Sequence, residues 1–316
     1  MIPAQNVVAW GAVVPWSDQR QVEQDLIIGR ALVEIFSDDM LRDAVRVRGG
    51  TALNKLHFPK PIRYSEDIDL VRTSGGPIGP ILDRLRVVLE PWLGRARFDQ
   101  SPVAPKFRFR VDAEDGSGVP IRLKVEINTR ETRAFDGPAS LPLKIDNPWF
   151  SGEAAISTFS REEMLATKLR ALLRRDQGRD LYDLAHALDV FENLDIARTV
   201  EMFGRYLALS GQTISRAQAQ KRMFAKLANS RFLLDLRRIS RTCSAACACS
   251  SGKHHAAAME ASITTAIRRG PRPWRRESPR QRRRGAPFAP ASRARRCGRP
   301  VPVSARFGRP ARRCAR

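Results

Sequence analysis

The five cysteines of this chain, Cys243, Cys247, Cys249, Cys297 and Cys314, all fall beyond residue 240. The long stretch before them has none, so no disulfide framework supports its fold, as in a protein of a reducing compartment. Cys247-x-Cys249 has no second Cys/His pair at zinc-site spacing, and His254-His255 is a poor substitute. No apolar run approaches the ~20 residues of a membrane span. The N-terminus lacks a basic segment followed by an apolar core. These absences exclude a disulfide-stapled secreted scaffold and a helical membrane protein, and a soluble cytoplasmic protein is expected. Acidic residues are scarce at one end: residues 241–316 hold 20 Lys+Arg against 2 Asp+Glu, within totals of 56 and 33. The formal charge of +23 is therefore mostly a property of the tail.

The chemistry concentrates between Arg48 and Leu70, RGGTALNKLHFPKPIRYSEDIDL. Val45-Arg46-Val47 reads as a short strand leading into Gly49-Gly50-Thr51 at a helix start. Glycines let the backbone approach phosphate oxygens, and the free N–H groups of a helix start favour an anion. The stretch closes on Asp67-Ile68-Asp69-Leu70. In a strand, Asp67 and Asp69 point to one face, roughly 7 Å apart. Two such carboxylates suit Mg²⁺, which takes hard oxygen ligands and shares them with substrate phosphates. Arg63 and Ser65, just before the carboxylates, are within reach of a phosphate. Either element alone reads as an ordinary turn or a solvated strand end.

Together and in this order, GGTAL and RYSEDIDL resemble the AbiEii/AbiGii toxin family, within the nucleotidyltransferase superfamily that includes DNA polymerase β. The resemblance implies an α+β fold with a polymerase β-like mixed sheet, two Mg²⁺ ions and an NTP substrate. It also implies a third acid from a neighbouring strand. Ile121 to Asn128 alternates, with Ile121, Leu123, Val125 and Ile127 on one face and Lys124, Glu126 and Asn128 on the other. LKVEINTRE resembles the family's strand here and puts Glu126 where that acid belongs. The metal set is then Asp67, Asp69 and Glu126. The nucleotide contacts are Gly49, Gly50, Thr51, Arg63, Ser65 and Lys168.

Elsewhere the pattern supplies the frame. A first helix is expected after Pro15-Trp16-Ser17, capped by Ser17 or Asp18, with an apolar stripe from Val22 to Phe36. A helix from Ile81 ends near Pro91, Phe107 to Val111 is a half-exposed strand, and Asp115-Gly116 signals a hairpin. Pro138 to Pro148, with three prolines, reads as a loop-rich connection and marks the boundary of a nucleotidyltransferase domain at residues 1–148. A helical domain over 149–240 opens with a capping box, Ser160-Arg161-Glu162-Glu163, stapled by Phe159 and Met164. On that helix Lys168 lies between Met164 and Leu172, and an inward lysine requires an anion. KLRALLRRDQGRDLYDL resembles the family's second block, which implies active-site service for Lys168 and Asp180; Asp183 is expected on the other side. Helices from Asp195 to Leu209 and from Arg216 to about Arg238 follow.

From about Arg241 the alphabet shifts to Arg, Ala, Pro, Ser and Cys. Such a segment cannot bury enough apolar surface to order itself. It reads either as a basic nucleic-acid-binding tail or, preferably, as the product of a frameshift in a GC-rich gene. The activity implied by the resemblance is transfer of a nucleoside monophosphate from an NTP to an acceptor. That acceptor is expected to be a tRNA end, in a toxin whose antitoxin is a transcriptional regulator acting without direct contact. A protein or small-molecule acceptor, or an inactive nucleic-acid binder, are the alternatives.

Overall fold

A computed structural model describes residues 2–246, with side chains to residue 239. The cysteines' side chains and nearly all of the basic tail, with both readings of it, lie outside the described residues. The described part falls within one compact unit, Met1–Arg275. Among the described residues no helix is long and apolar enough to cross a membrane.

The fold is a mixed α+β architecture. Its central sheet has five strands: β1 (Val45–Arg48), β2 (Asp67–Arg72), β3 (Arg97–Asp99), β4 (Lys106–Val111) and β5 (Ile121–Asn128), in the order β1-β2-β5-β4-β3. Only β2 and β5 run parallel; the other pairs are antiparallel. The alternation expected for β5 is present, with Ile121, Leu123, Val125 and Ile127 buried. Those residues meet α2 (Gln19–Ser37), nine of whose aliphatic and aromatic side chains, from Val22 to Phe36, are buried. Asp18 caps α2, accepting from the N–H of Arg20 at 2.9 Å. It is not the first helix: α1 (Ala4–Gly11) precedes it, too short to stand out by periodicity.

Strand β1 passes directly into α4 (Gly49–Ala52), which continues through a π-helical turn at Leu53–His57 after the short α3 (Asp39–Ala44). Helix α5 (Gly79–Leu93) runs past Pro91 by two residues. The connection expected over 138–148 is instead a strand. β6 (Ala139–Asn147) pairs with β7 (Phe150–Thr158) as a two-stranded sheet whose turn contains Pro148. Proline is tolerated at 142 because β6 has an unpaired edge, where no ladder N–H is required.

Five helices follow: α6 (Arg161–Arg174), α7 (Gly178–Val190), α8 (Ile196–Ala208), α9 (Arg216–Leu227) and α10 (Ser230–Ala246). The last two replace the single helix expected from Arg216. Ser160 caps α6 by accepting from Glu163 N–H at 3.1 Å, but the capping box is only half made. The Glu163 carboxylate instead accepts from the N–H groups of Phe135 and Asp136 and from the Tyr206 hydroxyl. Glu163 thereby ties the loop after β5 to α6 and α8. Gly178 is required where it stands, because a Cβ there would meet the Leu236 backbone of α10 at 2.7 Å.

Candidate active site

The register of the central sheet brings the expected carboxylates together. Asp69 of β2 lies directly opposite Glu126 of the parallel β5, and Asp67 lies opposite Lys124. Arg48 of β1 completes the row with Asp69, and Lys106 of β4 completes it with Glu126. All three acids line one cavity of about 370 Å³, between this sheet face and α6. Its walls carry eight cationic side chains and four carboxylates, a balance that favours a polyanion. Thr167, Lys168, Ala171 and Arg174 share one side of α6 by their spacing, and Arg170 and the extended cap residue Arg175 complete that wall.

Burial pushes the Asp69 carboxyl above its ordinary range; the Lys124 and Arg48 charges oppose this, while Glu126 and Asp67 add to it. A buried carboxylate beside two others is the environment that a cation relieves. The cation present is Lys124, whose Nζ stands 2.9 Å from Asp67 and 3.4 Å from Glu126. Burial would lower its pKa, but the hydrogen bond to Asp67 and the surrounding carboxylates raise it. Lys106 reaches Glu126 at 3.2 Å. Among the described residues no three His, Cys, Asp or Glu side chains already converge on a metal position. The donors nevertheless fit a hard divalent ion, being all carboxylate oxygens with an ammonium occupying the cationic place.

A family model, "Nucleotidyl transferase AbiEii toxin, Type IV TA system", matches residues 30–245. The chain belongs to the AbiEii family. It is accordingly a nucleotidyltransferase toxin of the type IV toxin–antitoxin class, with an NTP as substrate. Solved structures similar to this AbiEii chain include the MenT4 nucleotidyltransferase toxin Rv2826c of Mycobacterium tuberculosis, at 17% identity and TM-score 0.47, covering 84% of this chain and 99% of that one. JHP933 of Helicobacter pylori is similar at 16% identity and TM-score 0.44, covering 79% and 97% respectively. No curated protein matches the chain.

In this AbiEii protein the nucleotide candidates divide. Gly49, Gly50, Arg63, Ser65 and Lys168 line the cavity. The glycines have a local reason to be there. Gly49 adopts φ +83°, and a Cβ would stand 2.6 Å from Asp69 Oδ2; one on Gly50 would stand 2.1 Å from Arg63 Nη2. Thr51 does not reach the cavity. It is buried, and its hydroxyl is shared with Ser65 Oγ at 2.7 Å and with the Asp67 carbonyl. Turned inward from α4, that hydroxyl holds the approach to β2.

Arg63 was expected at a phosphate. Although it borders the cavity, it donates from Nε and Nη2 to Asp183 at 2.6 and 2.7 Å. Lys168 is 5% exposed and lies between Asp180 at 3.1 Å and Asp183 at 2.7 Å. Arg175 donates twice to Asp180, at 2.7 and 2.9 Å. Burial alone would raise both aspartates. The Arg175 bonds and Lys168 charge hold Asp180 below the ordinary range, and Lys168 and Arg63 do so for Asp183.

The expectation that Asp183 faces away is therefore wrong. Residues three apart on a helix are neighbours, and Asp180 and Asp183 both turn to Lys168. Neither aspartate lines the cavity; Asp180 instead bonds Lys168 and Arg175, which do. Sequence reasoning also missed Lys124, although its place beside Glu126 on one strand face was legible. Glu131 was missed too: it joins Arg48 at 2.6 Å to Arg170 at 2.7 Å, and no sequence pattern marks that bridge.

Proposed function

We propose that this AbiEii protein transfers a nucleoside monophosphate from an NTP to a tRNA end in a Mg²⁺-dependent reaction. The supporting observation is the direct pairing of Asp69 with Glu126 across parallel strands, in a cavity with a cationic far wall. Asp67, Asp69 and Glu126 would hold Mg²⁺. When bound, the metal would neutralise phosphate charge and lower the pKa of the attacking hydroxyl. Displacement of Lys124 from Asp67 and Glu126 would free their oxygens for that role.

The acceptor hydroxyl oxygen forms a bond to the α-phosphorus, and the bond to the bridging oxygen of the β-phosphate breaks. Pyrophosphate leaves with that electron pair, and Glu126 accepts the hydroxyl proton. Gly49 and Gly50 allow the triphosphate close to the α4 backbone, with Ser65 beside it. Arg175 and Lys168 place positive charge opposite, held by Asp180 and Asp183. Positioning and fixed charge supply most of the rate, since phosphoryl transfer asks little covalent chemistry of the protein. Helices α6 and α7 complete the cavity, at the start of the helical second part of the nucleotidyltransferase unit. We place the protein in the cytoplasm, with an antitoxin that acts on transcription without touching this chain.

Incubation with each α-labelled NTP, Mg²⁺ and total tRNA tests the reading. Label should enter RNA with the wild-type chain and be lost with Asp69→Asn or Glu126→Gln. Label found in protein, or RNA labelling that survives both substitutions, overturns it.

A further inference from the structure

The sheet face that carries the carboxylates extends past them toward the β4–β5 turn. Same-face residues of β5 run Glu126, Lys124, Arg122, opposite Lys106, Arg108 and Arg110 of β4. The first two rows are neutralised locally: Lys106 and Lys124 meet Glu126 and Asp67, and Arg108 meets Asp99. The third row is different. Arg110 and Arg122 are exact register partners, both are exposed, and among the described residues neither forms an ion pair. Like charges directly opposite across an antiparallel pair are destabilising. Asp115, at the adjoining turn, is taken by Arg20 at 2.7 Å. Asp112 follows the end of β4, and no ion pair joins it to Arg110 among the described residues. The short β3 pairs no further than Arg108, so no strand covers the flank of Arg110.

Solvated arginines contribute to any protein surface, but these two stand against each other at an energetic cost and in line with the active-site acids. The rows repeat at about 7 Å along the strands, a ladder suited to successive phosphates. We propose that Arg110 and Arg122 form the outer end of a track for the sugar–phosphate backbone of an RNA acceptor. Its reacting end would lie at Asp69 and Glu126. The inference rests on RNA being the acceptor.

The test uses the full chain, with Arg110→Gln/Arg122→Gln compared with Lys60→Gln/Lys144→Gln, which removes the same charge from exposed positions elsewhere. RNA binding is measured without NTP across a salt series, and label transfer is measured with NTP. The arginine double variant should bind tRNA roughly five- to thirtyfold more weakly at low salt. Its salt dependence should fall by about two phosphate contacts. The KM for NTP should stay unchanged, and Tm should be equal to or above wild type because a repulsion is relieved. The lysine control should change RNA affinity little. Equal RNA affinity and salt slope in wild type and arginine variant overturn the track, even where transfer to RNA proceeds. Weakened binding in that variant, with no transfer by the wild type, overturns the transfer reading and leaves the track. Absence of both RNA binding and transfer in the wild type overturns both.

Discussion

A methyl group on Gly50 would stand 2.1 Å from Nη2 of Arg63, whose guanidinium is locked to Asp183 by two hydrogen bonds. The glycine, the arginine and the aspartate therefore form one unit across the mouth of α4. Gly50→Ala should force the guanidinium out or separate α4 from α7, an overpacking cost of about 1–3 kcal/mol. Chemical denaturation would register the loss. The KM for NTP should rise as well, because Gly50 and Arg63 both line the cavity.

Asp183 balances two buried cations. Asp183→Ala leaves Arg63 and Lys168 without that partner, which should cost about 3–5 kcal/mol. Asp183→Asn keeps the shape and should cost less. Because the folded carboxyl lies below its ordinary range, its contribution is full above the unfolded pKa and is lost as pH falls through the folded one. Urea unfolding from pH 6 to pH 2 should show the wild type losing stability at the acid end more steeply than Asp183→Asn.

Lys124 holds the position that a divalent ion would contest. Lys124→Met should weaken the metal-free protein, since Asp67 loses its lysine partner and Glu126 one of its two. Glu126 keeps Lys106 at 3.2 Å, so the freed charge is mainly that of Asp67. The substitution should also enlarge the thermal shift produced by Mg²⁺ or Mn²⁺, and chelation should reverse that shift. A Tm response equal to wild type would refute competition between lysine and metal.

His57 closes the π-helical turn with Nε2 lacking a partner among the described residues. Burial, helped by the Arg161 charge, lowers its pKa from 6.5 to about 4. The unfolded chain therefore takes up the proton first, and stability present above pH 6.5 drains away as pH falls toward 4. By pH 4.5 the loss is on the order of 2–3 kcal/mol. His57→Phe should remove this part of the acid dependence, measured as the difference in unfolding free energy between pH 7 and pH 4.5.

Local geometry settled much of the site before any fold was known. Period-two alternation placed Asp67 with Asp69, and Lys124 with Glu126, because a strand leaves no other arrangement for residues two apart. Helical periodicity turned Lys168 inward, and the Ser160 cap followed from unsatisfied N–H groups at a helix start. Tertiary structure decided which strand β5 would join, and so the meeting of Asp69 with Glu126. It also turned Thr51 inward, sent Glu163 to Tyr206 rather than back to its own cap, and joined Arg63 to Asp183 across 120 residues. A backbone's local preferences fix where a side chain points on its own element. What it touches depends on the packing of distant apolar faces, which decides the partners that each buried charge must find.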